Sequence, residues 1–232
     1  MRAALAAACL LGGTAWAAPT GLNVIPTADL VPFRQLSAVL QNGNTVLRGG
    51  SSVFRQPEPV PQFEAGLPWN LETGLDLVPA DRPEDYRPQV NLKWRLLDEG
   101  YRWPAVAAGV SQLGVGFTPN YFLVASRTIN YQQIQYQKFR AHHRNIKLRG
   151  IRAHVGILRT GNAWRALLGT DIELSDHFVL YADWISGSEN AVSLGGVLVI
   201  NRENSITAAA LRGNTEDRVS GLLVNFTHTF TW

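Results

Sequence analysis

The chain has little with which to cross-link itself. Its 232 residues include one cysteine, Cys9, and one methionine, Met1. A lone thiol excludes an internal disulfide and a cysteine-built metal site. Past the front end, no run approaches the roughly 18 uninterrupted apolar residues that a membrane-spanning helix needs. There is no Gly-rich phosphate loop and no pair of carboxylates at a catalytic spacing. Acid itself is missing from a long central stretch: between Gly100 and Thr170 there is neither Asp nor Glu.

Cys9 lies in a segment expected to be removed. Met1 to Ala17 has a basic Arg2, a short apolar run and small residues around Ala15-Trp16-Ala17. This is the pattern of a secretory signal peptide over 1–17, cleaved to leave Ala18 first. Lipid modification of Cys9, after Leu5-Ala6-Ala7-Ala8, is the competing reading, and it leaves Leu10 and Leu11 without a role. Export makes a nucleic-acid partner improbable despite the net charge of +3.

What the chain has in quantity is two-residue alternation. It is plainest at the end, over 218–232. Leu222, Val224, Phe226, His228, Phe230 and Trp232 alternate with Gly221, Leu223, Asn225, Thr227, Thr229 and Thr231. Successive strand side chains point to opposite faces, so one face is oily and the other mostly small or hydroxylated. Similar segments recur over 34–42, 60–68, 70–79, 87–97, 103–113, 120–128, 146–158, 164–175, 177–186, 190–200 and 204–213. Proline-rich loops at 57–61 and 79–83 interrupt them. The expected fold is all-β: an antiparallel transmembrane β-barrel of about twelve strands over 34–232, with 18–33 as an N-terminal segment at its mouth. Segment 45–56 is the place where a further strand is most easily missed. An edge strand of a secreted sandwich is the alternative for 218–232, but sandwich strands are usually shorter.

Two resemblances add to this reading. The closing strand, ending Phe230-Thr231-Trp232, resembles the C-terminal signal of bacterial outer-membrane β-barrels, although the last residue there is usually Phe. That resemblance implies outer-membrane lipids and the barrel-assembly machinery as partners. Gly21-Leu22, followed by Pro26-Thr27-Ala28, resembles the opening of the YjbH-like outer-membrane proteins linked to exopolysaccharide production. It implies a structural or binding role in the cell envelope.

Charge falls on one face of the strands. Val90, Leu92, Trp94 and Leu96 oppose Gln89, Asn91, Lys93 and Arg95, and the same holds around His154 and Asp171. The residues expected on the inner wall, as a charge network or a pore lining, are Glu64, Glu72, Asp76, Lys93, Arg95, Arg152, His154, Arg165, Asp171, Glu173 and Asp183. Because acid is absent from 100–170, one arc of that wall is expected to be basic. Opposed charges across a narrow lumen either pair into a plug or set up a field that filters small charged solutes. The alternative function is therefore a small porin-like channel.

The polar run Ile129 to Asn145 is Gln-rich and basic. Lys138, Arg140 and Arg144 within it, and Lys147 just beyond it, are candidate contacts for an acidic polysaccharide or lipopolysaccharide phosphates; a solvated basic loop is the plain alternative. His142, His143 and His154 lack the acid partners of a metal site, so no metal and no cofactor are expected. A distant third reading is an acyl hydrolase, pairing His228 with Ser220 or Thr227.

Overall fold

The structure is a computed structural model that describes residues 21–22, 24–47, 59–79, 86–129, 150–188, 190–214 and 220–232. The signal peptide expected at 1–17 and the basic residues Lys138, Arg140, Arg144 and Lys147 lie outside them.

Twelve strands run β1 Gln35–Leu47, β2 Val60–Leu67, β3 Leu71–Pro79, β4 Tyr86–Leu97, β5 Ala105–Leu113 and β6 Asn120–Ile129. They continue as β7 Gly150–Thr160, β8 Ala163–Ser175, β9 Phe178–Ile185, β10 Ala191–Val199, β11 Asn204–Gly213 and β12 Ser220–Thr231. Each pairs antiparallel with its sequence neighbours, and β1 pairs with β12, so the sheet closes into the expected barrel. Closure runs from Gln35 opposite Thr231 to Leu47 opposite Ser220. No edge strand is left with unpaired backbone groups, which is the condition for a sheet in hydrocarbon.

Strand ends depart from the sequence pattern for local reasons. Strand β5 begins at Ala105, not 103, because Pro104 has no N–H to give the ladder. Strand β1 continues past 42, although Asn42-Gly43-Asn44 reads as a turn. The closing partner β12 carries it on to Leu47, at the cost of an irregular register between Asn42 and Thr45. Thr45 to Leu47 thus belong to β1, so the described part of 45–56 adds no strand. Strand β7 is described from Gly150, whereas alternation in the basic sequence continued back to 146.

The period sorts the side chains as expected. Leu92, Trp94, Val155, Ile157, Leu168, Leu194, Phe226 and Phe230 are exposed on the outside. Lys93, Asn91, Glu72, Asp76, His154 and Asp183 are buried within. The start of β1, the end of β12 and the turns 68–70, 98–104, 176–177 and 200–203 lie at one end of the barrel, here called the terminal end. The apolar core is also internal. Ile25 and Ala28, ahead of β1, pack against Phe122, Leu158, Leu167 and Ile185 of the inner wall.

Candidate functional site

The segment from Gly21 to Phe33 crosses the lumen as a strap. Its prolines, Pro26 and Pro32, keep it out of the sheet, so its backbone N–H groups need other acceptors. Within the strap, Leu22 N–H donates to the Ile25 carbonyl at 3.0 Å, and Gly21 bridges to Pro26, giving a tight turn. Three further N–H groups reach the wall. Val24 donates to Asp183 Oδ2 of β9 at 2.9 Å, Ala28 to Ser126 Oγ of β6 at 2.9 Å, and Val31 to Glu72 Oε2 of β3 at 2.8 Å. Polar inward-facing side chains of three separate strands therefore act as the strap's hydrogen-bond ladder.

The wall also makes room for it. A Cβ on Gly66 would stand 2.1 Å from the Pro32 oxygen and 2.3 Å from that of Val31. One on Gly169 would stand 2.6 Å from both Ile25 Cδ1 and Leu22 Cδ1. At Gly66 the neighbours are backbone oxygens and only glycine allows the approach, whereas at Gly169 they are side-chain tips that would have to move aside. Burying Ile25 adds about 1.5–3 kcal/mol from its apolar surface.

Charge completes the seating. Arg152 Nη1 lies 2.5 Å from Asp29 Oδ1 of the strap, and Nη2 lies 3.3 Å from Glu99 Oε2 of the β4–β5 turn. Glu99 Oε1 accepts the Thr128 N–H at 2.6 Å. Lys93 Nζ stands 3.1 Å from Glu72 Oε1, with both side chains almost fully buried. Ser126 Oγ and His154 Nδ1 are 2.7 Å apart, and His154 Nε2 and Asp171 Oδ2 are 3.1 Å apart. If the ring carries its proton on Nε2, the Ser126 hydroxyl donates to Nδ1 and the ring donates to Asp171, so every donor in this chain of contacts has an acceptor. Asn91 Nδ2 donates to Asp76, and the Ser193 hydroxyl donates to Asp183.

Of the eleven inner-wall residues named from sequence, Glu72, Arg152 and Asp183 touch the strap directly, Lys93 and His154 reach it through one neighbour, and Asp171 through two. Asp76 is held by Asn91 a little apart from it. Arg95 Nε turns to Asp98 at 2.8 Å in the β4–β5 turn. Arg165 lies half-buried and donates to the Trp164 carbonyl at 3.3 Å. Glu64 sits opposite Ser37 and Gly74, and Glu173 opposite Gly150 and Val179 near the rim.

Sequence reading missed Asp29, Glu99 and Ser126, because their partners are many positions away and nothing local marks them. Gly66 and Gly169 were a readable signal: a glycine in the middle of an alternating strand often marks a close approach of another backbone.

The expected basic arc is narrower than the sequence implied. Arg127 and Arg159 fall on the outer face by parity, which leaves Arg152, His154 and Arg165 as its described inward members. The acid opposed to Arg152 comes from the strap and a turn, not from the facing wall. The hydrolase pairing also fails on geometry. Thr227 and His228 are consecutive on β12 and so face opposite sides, and Ser220 is eight positions from His228, about 26 Å along a strand. His228 Nδ1 meets Asn204 Oδ1 at 2.8 Å. Among the described residues, no group of three or more His, Cys, Asp or Glu is placed to hold a metal ion.

No protein-family model matches the chain, and no curated protein matches it. Solved structures do. A KdgM porin superimposes with a TM-score of 0.52 at 6% identity, covering 84% of this chain and 99% of that one. The same figures hold for a KdgM porin in complex with disordered oligogalacturonate. At that identity the likeness establishes the barrel fold alone. It overturns the YjbH-like resemblance: no family model supports that opening motif, and the structural neighbours are porins. Gly21, Leu22, Pro26 and Ala28 have a physical account without it, as the turn and the small buried contact of the strap.

Proposed function

We propose that the chain is a porin-like outer-membrane barrel whose lumen is closed at rest by its own N-terminal strap. Withdrawal of the strap opens a path for small anionic solutes. The observation that carries this reading is the strap itself, held across the lumen by three backbone hydrogen bonds to wall side chains and by the Asp29–Arg152 pair. An outer face of exposed Leu, Val, Trp and Phe supports a hydrocarbon surrounding, with outer-membrane lipids as its solvent. The cleaved leader expected at 1–17 and the closing strand, read by the assembly machinery, accord with that location.

The solute class follows from what withdrawal would uncover. Without Asp29, Arg152 faces the lumen with one carboxylate partner fewer, close to His154 and on the strand next to Arg165. An acidic oligosaccharide offers carboxylates to the same guanidinium, and the structurally similar porin was captured with oligogalacturonate.

Planar-bilayer recording tests the proposal. The intact protein should give small or infrequent steps, and a variant lacking 21–33 should give larger, steady ones that Arg152→Ala alters. Equal steady conductance in both proteins would remove the strap's role. Silence in both, with the barrel shown to be folded, would favour the second reading: a filled barrel with a structural or polysaccharide-binding role in the envelope. The buried Lys93–Glu72 pair is the observation that favours that reading, because a pore would be expected to keep such charges wet.

A further inference from the structure

The outer face carries its own charge rule. On the described strands, all six carboxylates, Glu64, Glu72, Asp76, Asp171, Glu173 and Asp183, point inward by parity. The charged residues on the outer face are all arginines: Arg127, Arg159 and Arg212. An outward charge is costly in hydrocarbon and cheap only near the headgroups. Arg159 lies beside the distal turn, where its Nε donates to the Gly161 carbonyl at 3.2 Å.

Arg127 is placed differently. It lies two positions before the terminal-end limit of β6, and its guanidinium spans the β4–β5 turn. Nη2 donates to the Tyr101 carbonyl at 3.2 Å and Nη1 to the Arg102 carbonyl at 3.3 Å. These contacts hold one wall of an open cleft of about 520 Å³, which Arg102, Tyr101 and Ile129 also line. Glu99 reaches the cleft too, but its carboxylate is engaged by Arg152 and Thr128. The remaining charge in the cleft is therefore basic.

The cleft's surroundings are those of a membrane interface. Tyr101 is 94% exposed and Trp103 66%, and Trp69 and Trp232 are also exposed at the terminal end. Exposed aromatics of this kind form the girdle at headgroup level.

We propose that this cleft is a binding site for the phosphate of an anionic phospholipid headgroup. Arg102 and the free edge of Arg127 meet the phosphate oxygens, and Tyr101 and Ile129 lie along the glycerol and first methylenes. The arrangement suits lipid better than free phosphate, because two of its four named walls, the exposed Tyr101 and Ile129, are aromatic or apolar. The proposal rests on the membrane reading above.

The test is native mass spectrometry of the full barrel, released from detergent with dioleoyl phosphatidylglycerol. Wild type should retain lipid adducts. Arg102→Gln, which leaves the Arg127 bonds to the turn in place, should retain at least about tenfold less, the equivalent of one charge-assisted hydrogen bond. Arg102→Gln with Arg127→Lys should retain less again, and Arg159→Gln, at the other end, should match wild type. Displacement of the lipid by millimolar inorganic phosphate would overturn the proposal in favour of a simple anion site. So would equal retention by all variants. Failure of the protein to enter vesicles at all would instead count against the membrane reading on which the site depends, and would be seen before any lipid is scored.

Discussion

Lys93 Nζ lies 3.1 Å from Glu72 Oε1, while the other oxygen of the same carboxylate accepts the Val31 N–H at 2.8 Å. One wall-to-wall ion pair thus also anchors the strap. Both charges are buried, so their value lies in being matched, not in their number.

Removing only one partner should be severe. Lys93→Ala leaves Glu72 buried without its cation, and the barrel should lose about 3–5 kcal/mol of stability. Lys93→Met with Glu72→Leu should lose much less, though it also gives up the bond to Val31. Urea unfolding in detergent, followed by tryptophan fluorescence and by the shift in gel mobility on boiling, measures both. Equal losses in the single and double variants would contradict the pairing.

The glycine cradle gives a second prediction. Gly66→Val and Gly169→Leu place side chains where the strap now runs, against its backbone oxygens at Gly66 and against the Leu22 and Ile25 side chains at Gly169. The strand can accept either residue, so the barrel should still fold while the strap is expelled. Ala28→Cys, fully buried in the native protein, should react slowly with a water-soluble maleimide and at least tenfold faster in either glycine variant, a ratio of about 1.4 kcal/mol in opening free energy. Unchanged labelling would show that the strap does not depend on this space.

His154 bridges Ser126 and Asp171 from the barrel interior. His154→Phe keeps the bulk and removes both polar contacts. A cost of about 1–3 kcal/mol is expected from the groups left unmatched. Ser126→Ala adds the loss of the acceptor for the Ala28 N–H, so it should also quicken labelling at position 28 with a smaller effect on global unfolding. A double variant whose cost equals the sum of the two single costs would mean that the contacts are independent.

Closure predicts an assembly defect. Deleting Phe230, Thr231 and Trp232 removes the pairs Thr231–Gln35 and Phe230–Leu36 and the bond from the Trp232 N–H to the Arg34 carbonyl at 3.1 Å. The fraction of protein running as the compact, heat-modifiable species should fall sharply. A truncated chain that assembles like the intact one would show that closure does not need these residues.

The barrel was written in the chain itself. Alternation at period two, carried by residues such as Leu222 to Trp232 and Gln89 to Leu96, assigns each side chain to a face with no knowledge of its neighbours. Counting the segments gives the twelve strands. The same parity put Lys93, His154 and Asp183 inside, because facing is a local property of a strand. What only the tertiary structure decided is which inward groups meet. Asp29 reaches Arg152 across more than a hundred positions, Ala28 reaches Ser126, and Val24 reaches Asp183. Those partners are set by strand tilt, by register and by the path of a segment that belongs to no strand. A one-dimensional pattern holds none of these, so the sequence could name the charges of the lumen but not the strap that occupies it.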